Sequence, residues 1–168
     1  MPLSIIILAA GQGTRMKSSR PKVMHPLAGK PMLQHVVDAS AALGPDQIIV
    51  VVGHHSQQVR EQMKDQNLSF VEQREQLGTG HAVAQCLAEL KKGNDLLVLY
   101  GDVPMITPAT IELLHEEAGD SAVNILSFLP ENPQGYGRIL RSADGCVKAI
   151  VEDKDATDAQ KNIRESNS

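Results

Sequence analysis

The stretch from Ser4 to Ala10, Ser-Ile-Ile-Ile-Leu-Ala-Ala, is apolar without alternation, and it stops at Gly11. A half-solvated strand alternates apolar and polar side chains. A short unbroken run rich in β-branched residues is instead the pattern of a strand covered on both faces, as in a parallel sheet. Such a strand requires helices on both sides of the sheet. Gly11 and Gly13 then flank Gln12. Two residues without Cβ so close together let successive backbone N–H groups turn toward an anion. Arg15, Lys17, Arg20, Lys22 and Lys30 follow, and no Asp or Glu occurs before Asp38, although the chain as a whole carries a net charge of −4. Positive potential is local, against an acidic background, which suits a phosphate site.

Two glycine motifs compete for this loop. The dinucleotide fingerprint G-x-G-x-x-G needs a third glycine where this chain has Met16, and the phosphate loop G-x-x-x-x-G-K-[ST] is not supplied by Gly13-Thr14-Arg15. Pro21 also stands too close for a long helix to open directly after the loop.

The rest of the chain repeats the strand–helix rhythm. Pro31 suits a first helical position, with Leu33, Val36, Val37 and Ala41 on one face and Gly44 as the stop. Strands follow at Gln47–Val52, Leu68–Val71 and Asp95–Tyr100. Helices are predicted around Val59 and Met63, from Ala82 to Leu90 with Cys86 and Leu87 inward, and after Thr107-Pro108 with Ile111 and Leu114 inward. A further strand is predicted over residues 122–128. A β-hairpin then joins Ile139 to the Cys146–Val151 run through Ala143-Asp144-Gly145. The pattern predicts a doubly wound, three-layer α/β/α fold of Rossmann-like type with an antiparallel hairpin. Gly11, the Gln73–Gly80 loop and Asp102 all come just after strands, where ligands bind in such sheets.

With 168 residues the chain is one domain in size. It has no apolar run near the ~20 residues of a membrane span. Its acidic balance, with two Tyr, two Phe and no Trp, argues against a nucleic-acid surface. Met1-Pro2-Leu3 leads straight into the first strand, so no secretion signal is expected and the cytoplasm is the predicted compartment. Cys86 and Cys146 match no metal spacing and read as reduced structural thiols. The six histidines, His25, His35, His54, His55, His81 and His115, show no zinc spacing.

Asp102, set between Gly101 and Val103-Pro104 at the tip of a strand, can hold Mg²⁺ against a substrate phosphate or simply cap the turn into the next helix. Arg15 and Lys22 can neutralise charge on a transferring phosphoryl group or lie on a solvated surface. Gln73 and Gln76 offer amides that can read a base edge, or are surface residues. The acidic group Glu152, Asp153, Asp155 and Asp158 reads most simply as a solvated turn and helix start.

Leu8-Ala9-Ala10-Gly11-Gln12-Gly13-Thr14-Arg15-Met16 with Pro21-Lys22 resembles the signature of the sugar-phosphate nucleotidyltransferases. Together with Gln76-Leu77-Gly78-Thr79-Gly80-His81-Ala82, Leu99-Tyr100-Gly101-Asp102-Val103-Pro104 and Gly135-Tyr136-Gly137-Arg138-Ile139, it is similar over essentially the whole chain to one family. That family is the N-terminal uridyltransferase domain of the bacterial bifunctional N-acetylglucosamine-1-phosphate uridyltransferases / glucosamine-1-phosphate acetyltransferases. The resemblance implies a nucleotide-diphospho-sugar transferase fold. It implies a uridine nucleotide held by Leu8, Ala9, Ala10, Gly11, Gly13, Gln73, Gln76, Gly78 and Thr79, and phosphates faced by Arg15 and Lys22. It further implies Mg²⁺ on Asp102 and N-acetylglucosamine against Tyr100, Gly101, Gly137, Glu152 and Asn167. The implied reaction converts UTP and N-acetylglucosamine 1-phosphate into UDP-N-acetylglucosamine and pyrophosphate, for cell-wall and lipopolysaccharide precursors.

In that family the uridyltransferase domain continues past this length, supplies a second Mg²⁺ ligand there, and precedes a trimer-forming left-handed β-helix acetyltransferase domain. The expectation is therefore a single, C-terminally incomplete domain over residues 1–168, without the β-helix or the trimer, and with weak or no turnover.

Overall fold

A computed structural model describes residues 2–11, 13, 16–54, 56–117 and 123–167. The backbone divides into two compact units, Met1–His115 and Glu116–Ser168.

In the first unit, β1 (Leu3–Leu8), β4 (Gln47–Val52), β5 (Ser69–Glu72) and β6 (Asp95–Tyr100) form one sheet in the order β5-β4-β1-β6, with every pairing parallel. The two-residue strands β2 (Pro26–Leu27) and β3 (Lys30–Pro31) make a small separate hairpin. Helices α1 (Met32–Ala41), α2 (Ser56–Gln62), α3 (Thr79–Ala84) and α4 (Pro108–Glu116) complete the alternation.

The unbroken apolar runs serve two faces at once, because successive strand residues point to opposite sides. Ile5 and Ile7, with Val50, Val52, Leu97 and Leu99, pack against Leu33, Val36 and Val37 of α1, Val59 of α2 and Ile111 of α4. Ile6, Ile49 and Val51 face the other way, against Ala82 of α3 and Cys86. Ile5, Ile6, Ile7 and all of Ile49 to Val52 are fully buried. The predicted three-layer arrangement is therefore present, with β1 at its centre. At the amino ends of the strands, Asn94 donates to Ser4 Oγ and Asp46 Oδ2, both at 3.1 Å, so a buried serine hydroxyl is satisfied.

Three local expectations are corrected. Pro31 is extended (φ −55°, ψ 145°) and stands just outside α1, so the helix starts at Met32. Helix α3 stops at Ala84 and the chain turns from residue 85 to 90. Cys86 is buried as predicted, whereas Leu87 is 65% exposed because the helical period no longer aims it inward. The predicted strand over residues 122–128 is absent over 123–127. Val123 and Leu126 are exposed, Phe128 alone forms a bridge, to Ser166, and residue 122 lies outside the described residues.

In the second unit the predicted hairpin is present as β7 (Gly137–Arg141) and β8 (Val147–Val151), and β9 (Ser166–Asn167) pairs on the other side of β7. Helix α5 (Asp158–Lys161) begins with a capping box at Thr157, whose hydroxyl accepts from Gln160 N while the Gln160 side chain accepts from Thr157 N. Arg138 is 2% exposed and donates to Asp153 at 2.9 Å and to the Tyr136 carbonyl, so its buried charge is paired. Arg141 grips Glu165 through two N–H groups, at 2.6 and 2.8 Å, and the Ser127 hydroxyl donates to the same carboxylate at 2.6 Å. No helix among the described residues is long and apolar enough to cross a membrane.

Ile49→Ala should cost about 2–5 kcal/mol of unfolding free energy, since it opens a cavity in the sheet. Leu87→Ala should stay within about 0.5 kcal/mol. Denaturant titration of both variants checks where α3 ends. The Arg141 hydrogen bonds, and then that of Ser127, lower the Glu165 carboxyl from 4.5 to about 2. A carboxyl depressed on folding stabilises above its unfolded value, and that stability fades as pH falls from 4.5 toward 2. Glu165→Gln should flatten the acid-unfolding curve of the chain across that window, as followed by circular dichroism.

Candidate active site

The register of β1 with β6 sets the site, because Leu8 pairs with Tyr100 and the two strands end level. Gly101 N donates to the Leu8 carbonyl at 2.9 Å, and Ala9 N donates to the Val51 carbonyl at 2.8 Å. Connections run from β1 outward to β4 and β5, then return to β6 on the other side of β1. The crevice between the carboxyl ends of β1 and β6 is the topological switch point, where open α/β sheets bind ligands. Ala9, Ala10 and Gly11 lie on one side of it, and Gly101 and Asp102 on the other.

Beyond Gly11, Gly13 adopts φ +58°, a left-handed conformation that a side chain resists. A Cβ there would also stand 2.8 Å from Lys22 Cβ. The glycine loop therefore lies directly on the stem of Lys22. A short 3₁₀ turn over Lys22–Met24 buries Val23 and Met24 and so anchors that lysine. Its ammonium reaches Asp102 Oδ2 at 2.5 Å, with both side chains about a third exposed (38% and 31%). The two charges predicted to face phosphate and metal are thus in direct contact. Arg15, the other predicted cation, lies outside the described residues, as do Gln12 and Thr14 of the same motif.

The third loop, after β5, is tied to the first. Gln76 Nε2 donates to the Ala10 carbonyl at 2.6 Å. Gly53, after β4, passes so close that a Cβ there would meet the Ala10 oxygen at 2.8 Å. Gln73 is 5% exposed; its N–H donates to the Val52 carbonyl at 2.8 Å and its Nε2 lies 3.1 Å from the Gly78 oxygen and 3.1 Å from His81 Nδ1. Gly78 and Thr79 are exposed at the start of α3. Gln73, Gln76, Gly78 and Thr79 therefore sit on the same edge as Leu8 to Gly11. His81 was singled out by no spacing rule, since its contact with Gln73 spans a turn rather than a helical or strand period.

Asp102 offers hard carboxylate oxygen, and Mg²⁺ is commonly held by one or two carboxylates plus substrate phosphates. The carboxylate at the switch point, a third exposed and already holding a cation, fits that role. Among the described residues there is no group of three or more His, Cys, Asp or Glu able to hold a metal by itself. Burial, and then nearby Glu89, push the Cys86 thiol up to about 11, so it is no nucleophile. A wider concavity of about 440 Å³ opens near Asp46, Gln47 and Ser69, at the opposite end of the strands. Its lining holds Asp46 and Lys91, which cancel in charge, and Lys91 is spent on the Asp46 carbonyl at 2.8 Å.

In the second unit, Gly137 pairs with Asn167, and a Cβ on Gly137 would stand 2.2 Å from Asn167 Oδ1. That oxygen is buried and has no hydrogen-bond donor among the described residues. Glu152 follows Val151, the residue opposite Arg138, so it lies at the Gly137 end of the sheet. These three predicted sugar contacts are collected there, and the Arg138–Asp153 pair secures the turn that carries Glu152.

Comparison with known proteins agrees with this geometry. Residues 5–167 match the family described as the MobA-like NTP transferase domain. The bifunctional protein GlmU of Pseudomonas aeruginosa is 53% identical over 167 residues, covering 99% of this chain and 37% of that protein. The chain thus spans a little over a third of the length of these curated relatives. Among solved structures, HddC from Yersinia pseudotuberculosis complexed with GMP-PN is 27% identical with a TM-score of 0.73, covering 89% of this chain and 68% of its own. A UDP-glucose pyrophosphorylase complexed with UDP-glucose shares the fold, with a TM-score of 0.75 at 20% identity over 99% of this chain and 74% of its own. The resemblance drawn from the glycine-loop motifs is borne out, and the chain belongs to the MobA-like nucleotidyltransferase family, as the counterpart of part of the bifunctional GlmU proteins.

Proposed function

We propose that this chain carries the uridyl-transfer site that makes UDP-N-acetylglucosamine and pyrophosphate from UTP and N-acetylglucosamine 1-phosphate. The observation that carries the reading is the contact of Lys22 with Asp102 beneath the Gly13 loop, at the switch point of the sheet. A cation for phosphate and a carboxylate for a divalent metal lie within one ligand's reach, beside loops with exposed glycine backbone.

A phosphate oxygen of the sugar phosphate attacks the α-phosphorus of UTP, a new P–O bond forms, and the bond to the β-phosphate breaks to release pyrophosphate. No covalent intermediate with the protein is needed, so the residues position and neutralise. The backbone from Leu8 to Gly11 and the Gln73–Thr79 loop orient the uridine. Lys22 places its ammonium beside the triphosphate, where Arg15 adds a second charge. Asp102 would hold Mg²⁺, which when bound offsets the negative charge gathering on the phosphates. The family resemblance assigns sugar contacts to Tyr100 and Gly101 in the first unit and, separately, to Gly137, Glu152 and Asn167 in the second.

A second reading is a domain that binds the nucleotide sugar without turning it over. It is favoured by Asp102 belonging to no group of three or more His, Cys, Asp or Glu among the described residues. Pyrophosphate release from UTP and N-acetylglucosamine 1-phosphate with Mg²⁺ separates the two: turnover selects the enzyme, and UDP-N-acetylglucosamine binding without release selects the binder. Faster release from another sugar phosphate or nucleotide would reassign the substrate.

In the active case, Asp102→Asn and Lys22→Ala should each lower kcat by about 100-fold or more, as removal of a group that stabilises developing charge does. Thermal unfolding should barely move, because an ion pair a third exposed to water contributes little net stability. Undiminished turnover in Asp102→Asn would discard the assignment of the metal to that carboxylate.

A further inference from the structure

The chemistry above leaves His81 unused, yet both of its ring nitrogens meet glutamine amides. Gln73 Nε2 lies 3.1 Å from His81 Nδ1 and 3.1 Å from the Gly78 carbonyl oxygen. A primary amide nitrogen has two hydrogens and no acceptor capacity, while a carbonyl oxygen can only accept. Gly78 therefore fixes which end of the Gln73 amide is nitrogen. The second hydrogen then points at Nδ1, which must be the bare, accepting nitrogen of the ring. In a neutral imidazole the proton consequently sits on Nε2.

The Gln85 amide lies 3.1 Å from that Nε2. Since Nε2 donates, Gln85 must present its oxygen there, an amide turned by 180°. For this exposed side chain the turn sacrifices only a 3.4 Å contact with the His81 carbonyl. The donors then run in one direction, from His81 to Gln85 and from Gln73 to both His81 and Gly78.

Both hydrogens of the nearly buried Gln73 amide are thereby consumed. Only Oε1 remains, and among the described residues nothing donates to it. We infer that His81 is a positioning residue for base specificity: through its bare Nδ1 it locks Gln73 as an acceptor-only group. The inference rests on the uridine reading above. Uracil carries a donating N3–H on its pairing edge, whereas cytosine carries a bare N3. An acceptor-only amide matches the first and opposes the second, which is discrimination by repulsion as well as attraction. Thymine shares the uracil edge, so this device does not separate the two. Without His81 only the contact with the Gly78 carbonyl opposes turning of the amide, so the turned form, which offers N–H to cytosine, becomes less costly.

Calorimetric binding of UTP and of CTP at fixed Mg²⁺ tests this in the full chain, in His81→Leu and in His81→Asn. The wild type should prefer UTP. His81→Leu should lower the UTP/CTP affinity ratio about tenfold, the worth of one hydrogen bond. His81→Asn, whose Oδ1 can replace Nδ1 as acceptor, should restore most of it. A merely structural histidine would weaken both nucleotides together and leave the ratio unchanged, and that result would overturn the inference. Two-bond ¹H–¹⁵N spectra of the wild type give an independent readout needing no variant. A bare Nδ1 supports the lock, and a proton on Nδ1 overturns it. Equal binding of UTP and CTP by the wild type would overturn the uridine reading itself, with the spectrum still deciding the hydrogen-bond chain.

Discussion

The parallel pairing of β1 with β6 is what the site depends on. It brings Lys22 and Asp102, 80 residues apart in sequence, to 2.5 Å, and it opens the crevice on which the glycine loop borders. The pairing is held by burial rather than by charge. Each fully buried isoleucine of β1 contributes roughly 1.5–3 kcal/mol through apolar area, whereas an ion pair a third exposed to water nets about 0–1 kcal/mol. The sheet therefore positions the two charges without depending on their attraction. In the proposed reaction both can exchange partners, lysine to phosphate and aspartate to metal, without loosening the fold.

Close backbone approaches recur where the ligand is proposed to lie. In the first unit, a side chain on Gly13 would press into Lys22 and one on Gly53 into the Ala10 carbonyl. These glycines bring main chain or functional side chains together more tightly than any other residue permits. The polar ties act in the same direction, since the loop after β5 is fastened to Ala10 by the Gln76 side chain and to Val52 by the Gln73 backbone N–H. The loops of the first unit are thus held on one edge by contacts that leave their exposed glycine amides available.

Much of this was legible in the sequence because it follows from periodicity. Unalternating runs at Ser4–Ala10, Gln47–Val52 and Asp95–Tyr100 announced buried parallel strands, and the position of Gly11 and Asp102 just after them announced the edge. Local pattern failed where tertiary context decides. Residues 123–127 are apolar enough for a strand, but a strand exists only with a neighbour to pair with, and there Phe128 alone bridges, to Ser166. Leu87 fits a helical face that ends three residues earlier. The contacts of Gln73 with His81 and of Gly13 with Lys22 join residues eight and nine apart through turns, a geometry no residue period encodes.

The claim that polyphosphate and divalent metal meet between β1 and β6 is tested most directly by paramagnetic broadening. Mn²⁺ with UTP would be titrated into the ¹⁵N-labelled chain and backbone amide signals followed by residue. The account predicts that Gly11, Gly101 and Asp102 broaden first, while Asp46, Ser69 and Lys91 at the opposite end of the strands keep their intensity. Broadening at Asp46 and Ser69 with Gly11 and Gly101 untouched would contradict it.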